Sequence, residues 1–133
     1  MKKILITGGS GFIGTNFINY LDTKNKFKIY NIDKISSVST PEKFKKINNK
    51  KKYQFIKLNL INFLNLKKCI KKIKPDIIVH MAAESHVDRS IDNPEKFYFE
   101  NIKSTQNILN AIRLQKNKMK FIYFSTDEVF GSY

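Results

Sequence analysis

Residues 8–14 constrain this chain more than any other stretch. Gly8-Gly9-Ser10-Gly11-Phe12-Ile13-Gly14 directly follows the apolar run Lys3-Ile4-Leu5-Ile6-Thr7. A short apolar run rich in β-branched residues and closed by glycines reads as a buried strand. Behind the glycines, Phe12, Ile13, Phe17, Ile18 and Leu21 recur at helical spacing. A Gly-x-x-Gly-x-x-Gly loop between strand and helix gives each glycine a task. Gly8 allows a sharp turn out of the strand, Gly11 lets backbone approach a pyrophosphate, and Gly14 lets the helix pack close to the sheet. The helix start then offers unpaired N–H groups and a positive dipole end to phosphates. This context of strand, loop and helix is what makes the glycine pattern informative.

The rest of the chain repeats the alternation. Phe27–Asp33, Tyr53–Leu58, Asp76–Ala82 and Phe121–Thr126 read as further strands. Asn62–Ile73 places Phe63, Leu66, Ile70 and Ile73 on one helical face, with Pro75 just beyond. Pro94–Gln115 reads as one long helix carrying Phe97, Ile102, Ile108, Leu109 and Ile112. Ser36–Thr40 reads as a polar loop, and Pro41 as the start of a short helix capped by Thr40. Alternating strands and helices predict right-handed crossovers. The expected fold is therefore α/β: a doubly wound parallel sheet in the order 3-2-1-4-5, between two helical layers. Residues 1–133 form one domain by length, without repeat or internal linker. The fifth strand is apolar, yet no helix follows to cover it, so the sequence reads as the front part of a longer domain.

Open parallel sheets bind ligands beyond the carboxyl ends of their strands. Asp33 ends the second strand, 19 residues after Gly14. Its carboxylate can accept hydrogen bonds from adenosine ribose hydroxyls and would repel a 2′-phosphate, so NAD is expected over NADP. The neighbouring cation Lys34 weakens that preference. After the fourth strand, Ala82 and Ala83 allow close approach of a cofactor, and Glu84, Ser85, His86, Asp88 and Arg89 crowd into six positions. His86 has no second histidine at metal-ligand spacing, so no metal site is expected. His80 lies within its strand and reads as a hydrogen-bonded core residue. After the fifth strand come Thr126, Asp127 and Glu128. Adjacent carboxylates can divide acid and base work if their surroundings separate their pKa values.

Composition removes several classes of function. The formal charge is +14, but of 25 basic residues only Arg89 and Arg113 are arginine. Phosphate and base recognition favour the arginine fork. The lysine runs read as solvated faces, so no nucleic-acid partner is expected, although the positive field suits an anionic ligand. No apolar run approaches the roughly 18 residues of a membrane span. The lone Cys69 cannot form an internal disulfide, which fits a reducing, cytoplasmic setting. On a helix rich in lysine and leucine it reads as a plain buried or half-buried thiol.

Taken together, Gly8-x-x-Gly11-x-x-Gly14, Ala82-Ala83-Glu84-Ser85-His86-Val87-Asp88-Arg89-Ser90 and Ser125-Thr126-Asp127-Glu128-Val129 resemble the dTDP-glucose 4,6-dehydratases. These are NAD-dependent members of the extended short-chain dehydrogenase superfamily, with a Rossmann-like domain. The resemblance covers all 133 residues and implies a nucleotide-sugar substrate, dTDP-glucose. It implies oxidation at C4 of the sugar, loss of water across C5–C6, and return of the hydride to C6. Glu128 would take the C5 proton, Asp127 would protonate the departing C6 hydroxyl, and Thr126 would hydrogen-bond the C4 oxygen. Gly8, Gly11, Phe12, Ile13 and Gly14 would meet the pyrophosphate. Asp33 and Lys34 would lie at the ribose, and Asn59 and Leu60 at the adenine. Ala82, Ala83, Ser85 and His86 would line the nicotinamide and sugar region. The resemblance also implies a homodimer for the intact protein.

The sequence departs from the resembled pattern in several places. Asn59-Leu60 replaces Asp-Ile, Glu100 replaces a Thr before Asn101, and Phe130 replaces a Tyr. The resembled enzymes' Tyr-x-x-x-Lys pair would lie beyond residue 133, so these residues alone are expected to be inactive. Another NAD-dependent sugar-nucleotide epimerase or dehydratase, or a non-catalytic NAD-binding half of a split enzyme, remains the alternative.

Overall fold

The computed structural model describes residues 1–35 and 50–131, leaving aside the side chains of Lys50, Val87 and Glu128. The polar loop and the short helix expected from Ser36 onward lie outside the described residues. Five strands build the sheet: β1 (Lys2–Thr7), β2 (Phe27–Asp33), β3 (Tyr53–Lys57), β4 (Ile77–His80) and β5 (Lys120–Tyr123). All pairings are parallel, in the order β3-β2-β1-β4-β5. Thr7 therefore stands beside Ile32 on one side and His80 on the other, and His80 beside Tyr123. The expected strand order is the observed one.

Strand alternation splits the core into two clusters, one on each face. Ile4, Ile6, Ile29 and Val79 pack with Ile18 and Leu21 of α1 (Phe12–Lys24). Leu5, Tyr30, Ile32 and Ile78 pack with Leu66, Ile70 and Ile73 of α2 (Phe63–Ile73) and with Ile108 and Ala111 of α5 (Ser104–Arg113). Each fully buried Ile or Leu contributes roughly 2 kcal/mol. Local chemistry sets the helix ends. Asn62 caps α2 by accepting from the Asn65 N–H at 3.1 Å, and Lys74 closes it in the left-handed region, at φ 51. Asn25 closes α1 in the same way.

Two stretches depart from the sequence reading. The charged segment after β4, to which the sequence reading gave no helix, contains α3 (Val87–Asp92). The long helix is a continuous helical path from Pro94 to Arg113, but it is not uniformly α. The short α4 (Pro94–Phe97), capped by the Asn93 side chain, runs through a π-helical turn, Tyr98–Lys103, into α5. Its buried face is Ser104, Asn107, Ile108 and Ala111, while Ile102 and Leu109 point outward.

Among these, Asn107 is a polar residue buried at 3% exposure. Its amide donates to the Leu60 and Ile61 carbonyls, both at 3.0 Å, and so ties the β3–α2 loop to α5. Asn107→Leu keeps the volume but strands two carbonyls. Such a loss costs about 2 kcal/mol. A urea titration of the variant should show the midpoint falling accordingly.

Candidate functional site

The carboxyl ends of β1 to β4 open onto one cleft of about 350 Å³. That size lies within the roughly 300–1,000 Å³ of small-molecule sites. Its walls are the glycine loop, the end of β2, the β3–α2 loop, the segment after β4 and the helical stretch behind it. Gly8, Gly11, Phe12, Asp33, Lys34, Asn59, Leu60, Ala82, Ala83, Ser85 and His86 all line it. Ile13 and Gly14 do not.

The glycine loop is held by overlap that only missing side chains permit. Gly8 sits at φ 71, and a Cβ there would lie 2.6 Å from both Cα and N of Ala82. Strand exit and the segment after β4 thus touch backbone to backbone. Gly14 is buried against the backbone of Gly8 and Gly9. The close approach expected between helix and sheet is made between helix and loop. At Gly11 a Cβ would meet only the Gly8 carbonyl, at 3.4 Å, so its face is open to an incoming group. No side chain caps the N-terminus of α1, and its first turn carries no acid. Those amides suit a phosphate.

Asp33 is pinned. One carboxylate oxygen accepts from the Ser10 N–H at 3.0 Å, the other from the Ile35 N–H at 2.8 Å. Ile35 sits at φ 59, a conformation that a β-branched residue rarely adopts. The strain lies directly beside the ribose-binding candidate. Asn59 accepts from the Ile61 N–H at 3.0 Å, which shapes the loop bearing Leu60.

The segment after β4 is clamped by a residue that the sequence reading did not assign. Asn101, in the π-helical turn, accepts from the Glu84 N–H at 2.8 Å and donates to the Glu84 carbonyl at 2.9 Å. Its neighbour Glu100 lies 2.7 Å from the Lys34 ammonium. Glu84 lies 3.5 Å from both Lys34 and Lys96. Arg89, Lys96 and Glu100 join the lining. No local pattern marked Asn101, since Ser104 and Thr105 beside it on the helix are polar too. The ion pairs left no signal either, because they join segments far apart in the chain.

His80 is a fully buried core residue. Nδ1 lies 2.6 Å from the Thr7 hydroxyl and Nε2 lies 2.9 Å from the Thr105 hydroxyl. Thr105 donates its proton to the Asn101 carbonyl at 2.5 Å, so it can only accept from Nε2–H. Thr7 accepts from the Ala82 N–H at 3.4 Å and donates to Nδ1. The bonds run in one direction, from Ala82 through Thr7, His80 and Thr105 to Asn101, and they require a neutral ring. Burial lowers the His80 pKa to about 4. Burial also pushes the Cys69 thiol up, against a nucleophilic role.

Thr126 and Asp127 stand beyond β5 on the same edge of the sheet, Thr126 just before the 3-10 turn Asp127–Phe130 and Asp127 at its start. Both are exposed and lie outside the cleft lining. The backbone of Glu128 belongs to that turn. Among the described residues, no group of three or more His, Cys, Asp or Glu is placed to hold a metal. Nor is any helix among them long and apolar enough to cross a membrane.

A family model described as GDP-mannose 4,6 dehydratase matches residues 5–133. This chain belongs to that family. It is also 34% identical to the dTDP-glucose 4,6-dehydratase of Haemophilus influenzae, over 98% of this chain and 41% of that protein. Among solved structures, the UDP-Glc/GlcNAc 4-epimerase of Campylobacter jejuni superimposes with a TM-score of 0.89 at 30% identity, over 98% of this chain and 39% of that one. The dTDP-glucose 4,6-dehydratase of Bacillus anthracis, solved in complex with NAD, gives 0.83 at 33%, over all of this chain and 40% of that one. The family member described here spans about two fifths of the length of such relatives.

Proposed function

We propose that residues 1–133 are the NAD-binding part of a dTDP-glucose 4,6-dehydratase. The observation that carries this reading is one cleft joining an open glycine face, an uncapped helix start and a carboxylate pinned by two backbone amides. These are the demands of a pyrophosphate next to a ribose. The NAD complex of the Bacillus anthracis enzyme and the relatives' names support the cofactor and the substrate. Gly8, Gly11 and Phe12 would meet the pyrophosphate, with Ile13 and Gly14 behind them. Asp33 would hold the ribose, Asn59 and Leu60 the adenine, and Ala82, Ala83, Ser85 and His86 the nicotinamide and sugar.

Bound NAD would supply the oxidation of the sugar at C4 and its reversal at C6. Thr126 would hydrogen-bond the C4 oxygen, Glu128 would remove the C5 proton, and Asp127 would protonate the leaving C6 hydroxyl. A cytoplasmic homodimer is the form this reading carries. The second reading, a 4-epimerase, is favoured by the TM-score of the Campylobacter jejuni enzyme. Adjacent Asp127 and Glu128 favour elimination, because epimerisation needs no acid and base across C5–C6.

The test is to supply the protein at its native length with NAD⁺ and dTDP-glucose. A 4-keto-6-deoxy product is expected; a C4 epimer would favour the second reading, and no product would refute both. Glu128→Gln should then slow turnover about a hundredfold, the loss expected for a general base. Unchanged turnover would remove Glu128 from that role.

A further inference from the structure

The charges around Lys34 are arranged in a way that the dinucleotide reading alone does not explain. Lys34 follows the pinned Asp33 and shares the cleft with it. An ammonium beside a ribose-binding carboxylate is the group that would welcome a phosphate on the ribose 2′-oxygen. Here it is already engaged. Glu100 approaches to 2.7 Å and Glu84 to 3.5 Å, each with its side chain 17% exposed, against 31% for Lys34. The two carboxylates reach it from different segments, the loop after β4 and the π-helical turn. Both segments are immobilised by the bonds between Asn101 and Glu84. Lys96 offsets part of the charge on Glu84, so Glu100 is the closer and less shared partner of Lys34.

We propose that Glu100, by its ion pair with Lys34, determines the cleft's discrimination between a dinucleotide with a free ribose 2′-hydroxyl and one with a 2′-phosphate. This rests on the dinucleotide reading above. A 2′-phosphate meets repulsion from Asp33 and a Lys34 already neutralised by two carboxylates. To recruit Lys34, it must first displace Glu100, leaving a carboxylate without its partner in a partly enclosed site. A 2′-hydroxyl requires none of this, since Asp33 accepts from it directly. Removing the Glu100 charge releases Lys34 to the phosphate while leaving Asp33 and the glycine loop in place.

The experiment titrates NAD⁺ and NADP⁺ by calorimetry into the native-length protein and into Glu100→Gln, Glu100→Thr and Glu100→Gln/Lys34→Met. Each Glu100 single variant should bind NADP⁺ about tenfold more tightly than the wild type, the gain expected from one charge-assisted contact in a half-exposed site. NAD⁺ affinity should move far less and remain the stronger of the two, because Asp33 is unchanged. The double variant should lose the NADP⁺ gain. An unchanged NADP⁺ affinity in a single variant that still binds NAD⁺ overturns the proposal, as does a gain that survives in the double variant. If the wild type binds NAD⁺ not at all, the dinucleotide reading itself falls, and this proposal with it. The threonine variant covers the case in which glutamine disturbs the π-helical turn.

Discussion

Gly8→Val should bring the fold close to unfolding under ordinary conditions. At φ 71 a β-branched residue carries a backbone penalty of roughly 1–3 kcal/mol. The Cβ would also sit 2.6 Å from Ala82 Cα and N. Both are backbone atoms, and neither can swing aside as a side-chain tip would. Ala82 N–H is bonded to Thr7, so relieving the overlap also disturbs the chain of bonds through His80. A total loss of about 4 kcal/mol or more follows, against the 5–15 kcal/mol typical of whole domains. Gly11→Ala is the contrasting variant. Its φ is −74 and its Cβ would have room, so the urea midpoint should stay close to the wild type while dinucleotide affinity drops. Chemical denaturation of the two variants with and without NAD⁺ checks both halves. Equal destabilisation by both would contradict the division of labour within the loop.

Acid should weaken the fold through His80. In the unfolded chain an imidazole takes up its proton near pH 6.5, whereas the folded site resists until about pH 4, because burial disfavours the charged ring. The folded pKa is lowered, so the contribution is complete above pH 6.5. It declines as pH falls from 6.5 toward 4 and loses nothing more below that. Across the window the loss approaches about 3 kcal/mol, near 1.4 kcal/mol per pH unit where the slope is steepest. Carboxylates add their own acid sensitivity at lower pH. The measurement is therefore a difference: unfolding free energy against pH for the wild type and for His80→Gln. The variant's slope should be shallower by about one proton between pH 6 and 4.5. Parallel slopes would mean that His80 accepts a proton while folded.

The sheet was legible because its signals are local. β-branched runs, glycine punctuation and helical spacing sit within single segments, and strand order follows from alternation and handedness. Phe27–Asp33 needed no adjustment at either end. The read extent of β4 was too long: the Met81 N–H makes the last ladder bond, to the Thr7 carbonyl at 3.1 Å, and Ala82 to Ser85 leave the ladder and run along the cleft. Apolar character continues past the last bond of the ladder, so pattern alone does not mark the exit. The polar segment after β4 hid α3, since a helix of six residues is too short to show a period and no side chain caps its start. The glycine loop, Asp33 and Ala82-Ala83 were visible as motif residues, and the structure brings them to one cleft. Asn101, Asn107 and the pairing of Lys34 with Glu100 were not visible. Each depends on a partner brought near only by folding, and no spacing rule connects a residue after β2 with one in the final helical stretch.

The π-helical turn at Tyr98–Lys103 acts as a phase shifter in an otherwise regular helical path. One surplus residue in a turn rotates everything upstream by about 100° relative to everything downstream. The two ends of a single rod can therefore answer to different neighbours. Ser104 to Arg113 keep their apolar stripe keyed to the sheet, while Glu100 lines the cleft and Asn101 holds the segment after β4. A uniform α-helix would have to choose between packing and recognition. Here the core sees one angular setting and the ligand site another, so either can change its residues without turning the other out of register.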